Sequence, residues 1–214
     1  MNEDRITFKT SCSGNPAVFH ALGIPLSAML EAELLPDGVV FHTGPMPDPL
    51  KVLPQPPQAA GEAIAAIIGV FAFLGSWAAK KVLDEIYAAK IGPKIREVLD
   101  STSAKLLPNK PGKKWLFQLG VWYEEDHVLI LLTLVGDSLK DVLAQEHLLP
   151  TLHSQAVNWL IQNTNNSPVH LYIAEDGKAN LSPLTFDHIN EAQEHLKKCW
   201  PLIISTPTKV AGSF

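Results

Sequence analysis

The sequence predicts an α+β domain: a mainly antiparallel sheet built from hairpins, packed with a long central hydrophobic helix and two or three shorter helices. Three observations carry this expectation. Residues 63–79 hold no charged side chain and lead into a plainly amphipathic stretch from Lys80 to Ile91. Strand-like runs come in pairs joined by short polar turns, Glu124-Glu125-Asp126-His127 in one pair and Glu175-Asp176-Gly177 in the other. Val128 to Val135 is apolar on both faces, the pattern of a strand covered from both sides.

The elements follow in order. Ile6 and Phe8 alternate with polar neighbours as a short strand, broken by Ser13-Gly14-Asn15-Pro16. Ala17 to Leu22 reads as a helical turn. Leu30–Leu35 and Val39–His42 flank Pro36-Asp37-Gly38, which suits a hairpin. Residues 44–57 carry Pro45, Pro47, Pro49, Pro54, Pro56 and Pro57, a density that blocks helix and central strand alike. The long helix is expected over 59–91, interrupted at Gly92-Pro93, with a final turn or two over 94–99. Strands over 115–123 and 128–135 come next, then helices from Leu139 and over 151–162. A hairpin over 169–184 and a last helix over 187–199 close the series. Three regions result: a strand and hairpin region with its proline-rich connector over 1–57, the main domain over 58–204, and a tail over 205–214.

Composition narrows the function. At 214 residues the chain suits one domain with a core that needs no staples. A net charge of −5 without a basic stripe points away from nucleic acid. Lys110, Lys113 and Lys114, around Pro111, read as part of a solvated linker. Cys12 and Cys199 are far apart and are expected as reduced thiols. Met1 to Arg5 is acidic and lacks the apolar segment of a secretory signal, so a cytoplasmic location is expected.

The uncharged run offers three roles. As a helix of about 1.5 Å per residue it spans about 25 Å, short of the ~30 Å hydrocarbon core. Its strong apolar contributors are Ile64, Ile67, Ile68, Val70, Phe71, Phe73 and Leu74. Trp77, Lys80 and Lys81 resemble an interfacial anchor, and Ala65, Gly69, Gly75 and Ala79 permit close helix approach. The segment is therefore a buried core helix, a membrane contact, or an exposed face for another protein. Asp84 and Glu85 stand four residues after Lys80 and Lys81, an ion-pair spacing.

No chemical constellation stands out. His188, Glu191, His195 and Cys199 share helical spacing, but zinc needs a second ligand cluster, and a solvated helix face accounts for them. Glu124, Glu125 and Asp126 read as a solvated turn. Cys12 with His20 has no nucleophile elbow, and Ser11 to Gly14 is a weak anion nest. Phosphate-binding glycine patterns are missing from the sequence. Trp115, Trp122, Tyr123, Trp159 and Tyr172 read as packing.

The expectation is thus a non-enzymatic interaction protein, of accessory, adaptor or immunity type, with no cofactor and no metal. Its contact segment would be Ile64, Ile67, Ile68, Phe71, Phe73, Leu74, Trp77, Lys80 and Lys81. Its partner would be another protein, a membrane, or a second copy of the chain. The alternatives are a membrane-associated protein using a helix over 63–79, and a small-molecule-binding domain or hydrolase with an unrecognised site.

Overall fold

The computed structural model describes residues 6–14, 24–25, 28–29, 32, 40–41, 47–48, 64–75, 80–97, 100, 113–163 and 167–199. Most of the proline-rich connector, the helical turn over 17–22, Trp77 and the tail over 205–214 lie outside them.

An open sheet of eight strands forms the frame, in the order β2-β1-β3-β4-β5-β6-β7, with β8 also on β6. The strands are β1 (Thr7–Gly14), β2 (Val40–Phe41), β3 (Ile64–Leu74), β4 (Lys114–Tyr123), β5 (Val128–Gly136), β6 (Val169–Glu175), β7 (Lys178–Ala179) and β8 (Leu184–Phe186). The fold class is α+β, but the sheet is mixed rather than mainly antiparallel. β1–β2, β3–β4 and β5–β6 are parallel, and the other pairs are antiparallel. The hairpins expected around 124–127 and 175–177 are formed. Of the one expected over 30–42, Ala32 is helical rather than extended, and Val40–Phe41 joins β1 in parallel. The rest of that segment lies outside the described residues.

The long hydrophobic helix is the main correction. Residues 64–74 are strand β3, paired with β1 on one edge and with β4 on the other. Ile, Val and Phe favour an extended chain between two neighbours. A continuous apolar run has no period by which strand and buried helix can be told apart. Ile64, Ile67 and Ile68 therefore lie in a strand, and Phe71, Phe73 and Leu74 are buried in it. Among the described residues no helix is long and apolar enough to cross a membrane.

Helix α1 is described over Lys80–Ile86, continues as a π-helical turn over Tyr87–Ile91, and runs on over 92–97. The interruption expected at Gly92-Pro93 is absent. Gly92 donates its N–H to the Tyr87 carbonyl five residues back. This wider turn relieves the clash that proline creates with the carbonyl four residues before it. As expected from their spacing, Lys80 pairs with Asp84, and Lys81 lies 3.9 Å from Glu85.

After β5 come α2 (Leu139–Ala144), a 3₁₀ turn (Glu146–Leu148) and α3 (Leu149–Gln162). Ser138 caps α2 by accepting from the Asp141 amide at 3.2 Å. Helix α4 (Ile189–Cys199) follows β8.

The sheet is buried on both faces. On one, Val70, Ala72, Leu119, Val121, Ile130 and Leu132 pack against Leu83, Tyr87 and Ile91 of α1 and against Leu149, Leu152 and Ala156 of α3. On the other, Leu129, Leu131, Val169 and Leu171 meet Ile189, Ala192 and Leu196 of α4. Both crossovers, β3-α1-β4 and β5-α2-α3-β6, run the same way across the sheet and share one face, yet their strands point in opposite senses. The two are therefore of opposite hand, so one departs from the usual right-handed rule.

On the outer side of β6 one side chain fills the gap between its two short partner strands. Asn180 sits between the short strands β7 and β8. Its Oδ1 accepts the Ile173 N–H at 2.5 Å, and its Nδ2 donates to the Leu171 carbonyl at 3.3 Å. It thereby replaces ladder bonds that an open edge would present to another chain.

Close packing also fixes the β3–β4 register. Phe71 pairs directly with Gly120, and a Cβ at Gly120 would run into the Phe71 ring. Gly120→Ala is expected to overpack this site at a cost of roughly 1–3 kcal/mol. Urea unfolding should show a lower midpoint, partly recovered when Phe71 is also changed to Leu. An unchanged midpoint in the single variant would contradict this register.

Candidate functional site

Helix α1 and the segment 146–153 lie side by side on the sheet, and their polar side chains meet in a seam. Two clusters form there.

The inner cluster joins three elements. Nδ1 of His153 lies 3.2 Å from Oδ1 of Asp84, and the Tyr123 hydroxyl lies 2.8 Å from Nε2 of His153. An ionised Asp84 only accepts, so Nδ1 carries the proton and the Tyr123 hydroxyl donates to Nε2. Burial opposes ionisation of Asp84, but hydrogen bonds from His153 and Lys80 outweigh it and hold the carboxyl below its ordinary value. Burial also dominates at His153, pushing it down against the pull of Asp84, and it raises the Tyr123 hydroxyl. A carboxylate–imidazole–hydroxyl chain is the layout of a proton relay. Here His153 is 1% exposed and Tyr123 0%, so both are buried beneath the helices, while Asp84 at the outer end of the chain is 31% exposed. It pins α1 and α3 to the end of β4.

The outer cluster opens to solvent. Glu146, at the start of the 3₁₀ turn, receives the Tyr87 hydroxyl on Oε1 at 3.3 Å and Arg96 Nε on Oε2 at 2.6 Å. Gly92 makes this possible, because a Cβ there would run into Oε1 of Glu146. Burial pushes the Glu146 carboxyl above its ordinary value against the opposing influence of Arg96 and Tyr87. Burial and the neighbouring Glu146 charge push Tyr87 well up. Between the two elements lies a groove of about 330 Å³, with Glu146, Tyr87 and Arg96 on one side of its chemistry and Ala88, Leu143 and Pro150 as apolar walls. A π-helical turn is a common companion of a functional site, since it re-aims side chains within an otherwise regular helix.

Of the residues expected from sequence to form a contact segment, Phe71, Phe73 and Leu74 are core and not on an exposed face, and Trp77 lies outside the described residues. Lys80 and Lys81 occupy the first turn of α1, and Lys80 supports the inner cluster through Asp84. The expected solvated turn at Glu124, Glu125 and Asp126 is exposed. Trp115, Trp122, Tyr123 and Tyr172 are buried as expected, and Trp159 packs edge-on against His170 at 5.5 Å. His195 packs on the Phe186 ring at 5.6 Å, and Cys199 is a free thiol. Among the described residues no group of His, Cys, Asp or Glu could hold a metal ion. Sequence reasoning did not single out Tyr87, Arg96, Glu146 or His153 as site residues. The sole local hint was Gly92-Pro93 inside a helical pattern.

The chain matches no protein-family model, no curated protein and no solved structure.

The inner cluster makes stability depend on pH. His153 is held below its ordinary value of 6.5, as is His170, again through burial. As the pH falls through that value, the unfolded chain binds protons first, so stability is full above it and declines below. Asp84 adds a loss of the same sign at more acidic pH. Glu146 has the opposite sign: its raised value removes stability as the pH rises through it. Urea titrations from about pH 7 to about pH 5 should show a falling wild-type stability and a shallower slope in His153→Gln. Equal slopes would contradict a neutral, buried His153.

Proposed function

We propose that this chain is a non-enzymatic binding protein that takes hold of a partner protein in the groove beside the π-helical turn. The observation that carries the proposal is the groove itself: about 330 Å³, apolar on its walls, with the polar groups of Tyr87, Glu146 and Arg96 converging in it. Such a combination is the usual form of a recognition site. The contact surface differs from the one expected from sequence, since the 64–74 segment is committed to the sheet. Burial of His153 and Tyr123 favours binding over catalysis, because the imidazole and the hydroxyl of the relay-like chain are covered and only Asp84 is partly exposed.

The size of the groove favours a second reading. Its volume falls at the lower end of the range for small-ligand pockets, roughly 300–1,000 Å³. A small molecule held by the same side chains would be a binding function of a different class.

Ala88 is exposed on the groove wall, so Ala88→Trp should fill the groove while leaving the fold intact. In an amide-shift screen of a fragment set and short peptides, binders should perturb Tyr87, Gly92 and Glu146 in the wild type. They should lose that effect in Ala88→Trp. Perturbations mapping elsewhere, and indifferent to Ala88→Trp, would contradict the proposal.

A further inference from the structure

Arg96 is the exposed guanidinium of the groove, whose lining also includes the exposed His147. The Arg96 side chain is 55% exposed, whereas that of Glu146 is 11% exposed. Glu146 engages Arg96 through Nε, and Tyr87 bonds the other carboxylate oxygen, so the guanidinium is held from below. A guanidinium has five donors in a planar fork, and a partner at Nε leaves the Nη1–Nη2 edge, on the opposite side of the plane's axis, available for a second acceptor. Glu97, next in sequence, is drawn away by Lys94 at 2.9 Å. Glu146 is the one carboxylate paired with Arg96 among the described residues.

We propose that the groove binds a carboxylate, clamped by the Nη edge of Arg96, with the ligand's apolar portion lying over Ala88, Leu143 and Pro150. The inference rests on the groove being the binding site and adds the chemistry of what enters it. A cationic ligand would have to reach Glu146, whose two oxygens are already bonded and which is nearly covered. A phosphate would bring about two negative charges to a single arginine already shared with Glu146. A carboxylate matches one guanidinium edge with one charge. The source is either a free organic acid or a carboxylate carried by a peptide chain.

Both sources and the chemistry are separable by titration followed at the Arg96 Nε–Hε and Gly92 amide signals. The probes are sodium hexanoate, 1-hexanol, hexylammonium chloride, and one pentapeptide with a leucine terminus, free or amidated. Hexanoate should shift both signals saturably and bind about tenfold or more tightly than hexanol, and in Arg96→Gln, followed at the Gly92 amide, that preference should be gone. Should Arg96→Gln unfold because Glu146 is left bare, the double variant Arg96→Gln with Glu146→Gln keeps a neutral pair and should show the same loss. A free-terminus peptide binding more tightly than both hexanoate and its amide would assign the carboxylate to a polypeptide. Tighter hexanoate would assign it to a free acid. Equal binding of hexanol or hexylammonium in the groove would overturn the carboxylate inference and leave the groove as a binding site. No shift at either signal with any probe would overturn both.

Discussion

The pairing of residues 64–74 along both edges is the constraint on which the rest of the molecule depends. This segment is uncharged and carries its Ile, Val and Phe without a polar face, so it has to be covered on every side. As β3 it is covered by β1 and β4 along its edges, and Val70 to Leu74 are buried on both faces. Its exit sends the chain into α1, which crosses the sheet and returns as β4. That single path sets Asp84, Tyr87 and Arg96 against the 146–153 segment. Without β3 in the sheet there is no seam and no groove.

The seam couples two kinds of polar group with different consequences. The inner chain from Asp84 through His153 to Tyr123 is fully bonded, so its burial costs little and it holds three elements in one geometry. The outer cluster is less settled. Taking Glu146 out of water is expensive, and the bonds from Arg96 and Tyr87 offset only part of that cost, which is why its carboxyl stays raised. A carboxylate in that position is an unusual choice for stability alone. It serves to orient Arg96, and Gly92 in the π-helical turn is what lets it come close enough to do so.

The legible parts of this fold were those with local signals. The β4–β5 and β6–β7 turns were announced by their polar tips, and α2 by the candidate caps Asp137 and Ser138 before Leu139, of which Ser138 is the one used. Burial of Val128 to Val135 followed from its two apolar faces. Parallel pairing leaves no such mark, since β3 meets β4 and β5 meets β6 only across helical crossovers. The segment 64–74 misled because Ala and Gly diluted its β-branched residues and the neighbouring stretch from Lys80 really is helical. The site was illegible for a different reason. Tyr87 and Glu146 are 59 residues apart, and His153 and Asp84 are 69 apart, so no spacing rule could join them. Neither Glu146 nor Arg96 carries a local pattern that marks it as a site residue.

The proposed binding role rests on a groove in which the exposed Arg96 is held by Glu146, beside a relay whose His153 and Tyr123 are buried. All of it stands on the strand assignment of 64–74. Backbone nuclear Overhauser contacts in the isotopically labelled protein test that assignment most directly. Cross-strand contacts from residues 64–74 to both β1 and β4, with Phe71 opposite Gly120, are the predicted result. Consecutive amide-to-amide contacts and α-proton contacts three residues ahead through the same segment would mean a helix, and would contradict the account.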